Sequence, residues 1–139
     1  MANPGHRGSR KDPTLVFERD FQATVLETAK AFGWEAFYIP DSAKAGAVGR
    51  PKGWFDMVLV HPEMCICLFV ENKTDAPTSV LSPDQERWAK IMDDCGQVVQ
   101  LWRPSIWDHI EAVLKGPAVL SWAALNNPDV GRWNSERKW

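Results

Sequence analysis

The chain reads as an α/β protein, a mixed β-sheet flanked by helices in the order αβββαβα. Three observations predict this: apolar residues recur at helical spacing in separate segments, short β-rich runs lie between those segments, and cap and turn residues fall at the joints. With 139 residues, 45% of them hydrophobic, the chain has material for one well-cored domain and too little for two ordinary ones.

The elements follow in order. Residues 1–13 carry Gly, Pro, Ser, Arg and Lys without periodicity and read as a flexible, mildly basic arm. Phe17, Phe21, Val25, Thr28, Ala29 and Phe32 then mark one helical face, and Gly33 supplies a stop, which predicts a helix over about 14–32. Glu35 to Ile39 reads as a short strand closed by Pro40. The segment 41–53, DSAKAGAVGRPKG, is a long loop carrying the bases Lys44, Arg50 and Lys52 against a single acid. Loops of that length in compact domains are usually functional.

Asp56 to Val60 and Cys65 to Lys73 form two β-rich runs joined at His61–Met64, the pattern of a hairpin. His61 therefore reads as a turn residue. Ser82-Pro83-Asp84-Gln85 opens a helix to about Asp94, with Ser at N-cap, Pro at N1 and Gln at N3. Gln97 to Trp102 is a further strand, and Ser105 starts a helix ending near Lys115. The last segment, 116–139, is rich in tryptophan and less regular.

Composition narrows the function. Charged residues make up 24% and the net charge is −2, so no global positive field draws nucleic acid, and any basic patch must be local. The 3 cysteines lack a CxxC pair, and Cys65 and Cys67 alternate within an apolar run as small hydrophobes do, which suits a reducing, cytoplasmic setting. Nothing resembles a signal peptide or a membrane span. Eight tryptophans are many for this length, and Trp133 and Trp139 in a polar tail point to a partner surface.

The apolar run CICLFV ends abruptly in Glu71-Asn72-Lys73. If His61–Met64 is the connection, Val60 lies opposite Cys65 and Asp56 opposite Phe69, so Asp56, Glu71 and Lys73 project from one side of the hairpin and Asn72 from the other. Diagonal neighbours have Cα atoms roughly 7 to 8 Å apart, within reach of a shared ion. Two carboxylates helped by a backbone carbonyl suit Mg²⁺ or Mn²⁺. Such an ion activates water and neutralises charge on a phosphodiester, while Lys73 orients the water or shares the developing charge.

The spacing Asp-x14-Glu-x-Lys resembles the PD-(D/E)xK nuclease superfamily. Within it, Glu18-x3-Gln22, Gly53-Trp54-Phe55-Asp56, Glu71-Asn72-Lys73 and Gln85 are similar, in order, to the motifs of the small stand-alone, virus-type VRR-NUC nucleases. The resemblance covers about residues 15–114, and Phe55 stands where that family generally has proline. It implies a restriction-endonuclease-like fold over 14–115, Glu18 as a further metal-site acid, and Gln85 as a site-lining amide. It further implies Mg²⁺-dependent cleavage of branched DNA such as a Holliday junction or flap, by a homodimer, in the cytoplasm of a bacterium or of a virus-infected host cell.

Each candidate also has a plainer explanation. Glu18 suits a first-turn acid, Gln22 an exposed helix position, and Gln85 a capping box. Lys44, Arg50 and Lys52 suit loop charges as well as contacts to DNA phosphates. His6 and His109 lack the company of a zinc site, and GAVGRPKG does not meet the phosphate-loop pattern. The alternatives are a restriction-like or exonucleolytic nuclease acting on duplex DNA, a catalytically silent DNA-binding protein of the same fold, and a protein-interaction module built on the tail.

Overall fold

The computed structural model describes residues 18–38 and 51–116. The basic arm, Lys44, Arg50 and the extension beyond Gly116 lie outside the described residues. In order, the elements are α1 (Glu18–Ala31), β1 (Glu35–Tyr38), β2 (Met57–His61), β3 (Ile66–Asn72), α2 (Pro83–Asp94), β4 (Val98–Trp102) and, after a short 3₁₀ turn at Pro104–Ile106, α3 (Trp107–Lys115). This is the expected αβββαβα order. The strands lie in the order β1-β2-β3-β4, the first two pairings antiparallel and the third parallel.

Alternation along the strands divides the core in two. One sheet face, with Met57, Leu59, Leu68, Val70, Val98 and Trp102, packs against Phe21, Val25 and Ala29 of α1 and against Ile110, Val113 and Leu114 of α3. The other face, with Phe69, Val99 and Leu101, packs against Ala89, Trp88 and Met92 of α2, and Trp54, Phe55 and Leu81 complete that cluster. β4 is buried along its whole length, because helices cover it on both sides.

The hairpin departs from expectation in its register. Its four-residue connection is Pro62–Cys65, one place later than the spacing predicts, with His61 paired to Ile66 and Val60 to Cys67. The reason lies in His61. Its ring is buried edge-on to Trp34, Nδ1 accepts the Met64 N–H (3.3 Å), and Nε2 donates to the Phe32 carbonyl (3.1 Å), so this residue ends a strand rather than tipping a turn. A Cβ on Gly33, at φ +91°, would stand 3.2 Å from His61 Nε2, so the glycine that ends α1 also admits the ring. Cys65 leaves the strand and takes the left-handed conformation in the turn, φ 55°. Cys67 stays in β3 half-buried, where burial pushes its thiol pKa up, as suits a small hydrophobe. The two-residue change of register conserves strand parity.

Candidate functional site

Buried polar groups locate the site. Among the described residues, Gln22, Asp56, Glu71, Asn72 and Gln100 are buried, and of these Asp56, Glu71 and Asn72 lie at the end of the sheet where β3 finishes and β2 begins. His61, at the opposite end, is the other buried polar residue. Burying two carboxylates in one neighbourhood opposes folding unless each is engaged. Asp56 is 4% exposed and Glu71 2%.

Asp56 precedes β2 at a bend. The pairing of Met57 with Val70 carries on to bring Asp56 beside Glu71, closer than the diagonal relation read from sequence. Its Oδ2 accepts the Asn72 backbone N–H at 2.8 Å, so the carboxylate caps the end of the neighbouring strand. Glu71 reaches toward α2, where its Oε2 accepts a hydrogen bond from Gln85 Nε2 at 3.2 Å. Gln85 thereby does two things. Its Oε1 accepts the Ser82 N–H at 2.9 Å in a complete capping box, and its amide nitrogen holds the acid.

Lys73 follows β3, with its N–H on the Trp102 carbonyl at 2.9 Å and a side chain 12% exposed. Its Nζ stands 3.9 Å from Glu18 Oε1 at the start of α1. Glu18 thus approaches the ammonium, and its side chain is 37% exposed. Gln22, for which the plainer reading was an exposed helix position, is buried, because the N-terminal turns of α1 lie over the sheet. Among the described residues there is no group of three or more His, Cys, Asp or Glu that could hold a metal ion.

The donor set nevertheless has the chemistry of a hard cation site: two buried carboxylates, Asp56 just before β2 and Glu71 in β3, with the Asn72 carbonyl next to Glu71 in sequence. Mg²⁺ needs few protein ligands and keeps several waters. No protein-family model, curated protein or solved structure matches this chain.

The approach to Asp56 is pinned at Gly53. Its φ is +84°, and a Cβ there would lie 2.5 Å from the backbone carbon of Asp84 on α2. Lys52 pairs with Asp84 at 3.6 Å but is almost fully solvated, so its pairing adds little. Phe55 is 1% exposed and packs on Trp54 and Phe69, which anchors the segment where the resembling family has proline.

Gln100 and Arg103 escaped the sequence reading. Gln100 is fully buried in an otherwise apolar strand and accepts the Trp102 indole N–H at 2.9 Å; a lone amide within VVQLW was the available signal. Arg103, whose Nη1 donates to the Thr74 carbonyl, gave none, because that partner is a backbone group in another segment. The side chain of Asn72, on the sheet face opposite Glu71, is sealed from solvent, and neither Nδ2 nor Oδ1 meets a partner among the described residues. No helix among the described residues is long and apolar enough to cross a membrane.

Proposed function

We propose that the chain is a small metal-dependent endonuclease that hydrolyses DNA phosphodiester bonds, with branched DNA, a Holliday junction or flap, as its substrate. The observation that carries this reading is the juxtaposition of Asp56, just before β2, and Glu71 in β3, both buried and each oriented by its own donor, with Lys73 two residues beyond Glu71. The ordered likeness of Glu18, Gln22, Gly53, Asp56, Glu71, Lys73 and Gln85 to the VRR-NUC pattern supports it.

In this reading Asp56, Glu71 and the Asn72 carbonyl hold Mg²⁺ or Mn²⁺, with Glu18 in support. When bound, the ion supplies positive charge for the phosphate and acidifies a water. The chain's own groups do the rest. The Asn72 N–H fixes the Asp56 carboxylate, Gln85 fixes Glu71, and both acids are ready to bind without rotamer search. Lys73, restrained by Glu18, places its ammonium where charge develops on the phosphodiester. Lys44, Arg50 and Lys52, on the segment leading to Asp56, contact the DNA backbone, and a homodimer presents two such sites to two strands.

The test is a panel of linear, flap and four-way DNA substrates incubated with and without Mg²⁺, with Asp56→Ala and Lys73→Ala alongside. Junction or flap cleavage that requires the metal and is lost in both variants is the expected result. Preferential cutting of linear ends points to the exonucleolytic or restriction-like alternative. Binding without cleavage under every condition makes the chain a DNA-binding protein.

A further inference from the structure

Lys73 belongs to the proposed site, and the loop that carries it onward is anchored at its far end by Leu81 in the second core cluster. Between β3 and α2 that loop closes mostly on itself: the Thr74 N–H donates to Ser79 Oγ (3.1 Å), the Ala76 N–H to Thr74 Oγ1 (3.3 Å) and the Ser79 N–H to the Ala76 carbonyl (2.9 Å). Such bonds set the loop's shape without setting its position. The position of its near end comes from the end of β4. The Lys73 N–H donates to the Trp102 carbonyl, Arg103 Nη1 donates to the Thr74 carbonyl, and the Ser105 N–H makes a long contact of 3.4 Å to Asp75 Oδ1.

Residues 73 and 74 are therefore gripped by 102 and 103, which extends the parallel β3–β4 alignment past its last paired residues, Asn72 and Trp102. Arg103 contributes the one side-chain donor in this grip. We propose that Arg103 is a positioning residue for Lys73: by holding the Thr74 carbonyl, it fixes the ammonium against Glu18. The inference rests on the nuclease reading for its consequence, and on geometry alone for its premise.

Burial pushes the guanidinium pKa down and Asp75 pushes it up, so the cation is half-withdrawn from water with an acid for compensation. An exposed arginine serving solubility alone would bear no such cost. Arginine also suits the task chemically, because one arm of its planar fork binds the carbonyl in a fixed direction, whereas a lysine ammonium is a point donor on a flexible stem. The grip also reaches α2, since the same loop leads to Ser82 and Gln85, and so to the amide that holds Glu71.

The premise is tested without reference to activity by competitive acetylation of the full chain with acetic anhydride, read residue by residue by mass spectrometry. Lys73 is 12% exposed, while Lys90 and Lys115 are 63% and 57% exposed and remote from the grip. In Arg103→Ala, labelling of Lys73 is expected to rise several-fold with Lys90 and Lys115 unchanged, and Arg103→Lys should fall between that variant and wild type. Unchanged Lys73 labelling in a folded Arg103→Ala overturns the proposal. If the alanine variant does not fold, Arg103→Lys carries the same test, and wild-type protection of Lys73 together with wild-type cleavage would count against a specific arginine role.

The consequence is read in kcat. A misplaced ammonium costs up to about 100-fold in turnover with KM for DNA little changed. Raised labelling with unaltered kcat removes the catalytic consequence. Absence of cleavage by wild type removes the nuclease reading and leaves the labelling result standing.

Discussion

At Asn72 two neighbouring demands meet: its backbone N–H orients Asp56 while its side-chain amide is sealed in the core without a partner among the described residues. An unpaired buried amide costs about 1 to 3 kcal/mol, and leucine has the same number of side-chain heavy atoms. Asn72→Leu is therefore expected to leave stability unchanged or raise it by about 1 kcal/mol in urea unfolding, with the backbone contact to Asp56 intact. A marked loss would mean that the amide is satisfied in solution. The acids behave differently. Asp56→Asn keeps an acceptor for the Asn72 N–H and removes one of two adjacent buried charges, so without metal it should unfold no earlier than wild type. Saturating Mg²⁺, at about 100 times its Kd, should stabilise wild type by about 2.7 kcal/mol. Asp56→Asn and Glu71→Gln should lose that gain, and equal shifts in all three proteins would exclude a metal at these acids. The neighbourhood of Asp56 and Glu71 was legible in the sequence because hairpin parity alone puts the two on one side. Gln85's grip on Glu71 was not, because it spans two elements whose packing no local pattern encodes.

Among the elements, the contact between the Asp56 approach and the start of α2 bears most on the site. Gly53 meets Asp84 so closely that Gly53→Ala must either move α2 or distort the loop, in a backbone conformation that already disfavours a side chain. The expected cost is about 1 to 3 kcal/mol in chemical denaturation, together with weakened metal binding as Gln85 is drawn from Glu71. Gln85→Ala isolates the second effect, with a loss of about 10- to 100-fold in metal affinity. Should Gly53→Ala leave both stability and affinity untouched, the close approach is absent in solution. The α2 start was legible from Ser82, Pro83 and Gln85, since a capping box is a local event. The hairpin connection was placed one residue early and the register two residues off, because His61 is drawn into the strand by Trp34 and the Phe32 carbonyl, contacts distant in sequence.

For the molecule as a whole, His109 on α3 supplies one pH-dependent contribution to stability. Burial lowers its imidazole pKa from the ordinary value of about 6.5, and its Nε2 is enclosed without a partner among the described residues. The unfolded chain therefore takes up this proton at higher pH than the folded chain. The group's contribution is intact above about 6.5, declines as the pH falls below it, and stops changing once the folded ring is itself protonated. His109→Gln should flatten that acid-side decline in a series of thermal unfolding midpoints, and an unchanged slope would assign the decline elsewhere. Across the described residues, the sequence by itself determined the order of elements, the apolar faces and the capped start of α2. These follow from periodicity and local hydrogen bonding, which act over a few residues. Tertiary structure alone decided the register of the hairpin, the burial of Gln22 and Gln100, the hold of Gln85 on Glu71 and that of Arg103 on Thr74. Each depends on which distant backbone or side-chain group packing brings within hydrogen-bond reach, and a one-dimensional pattern does not carry that distance.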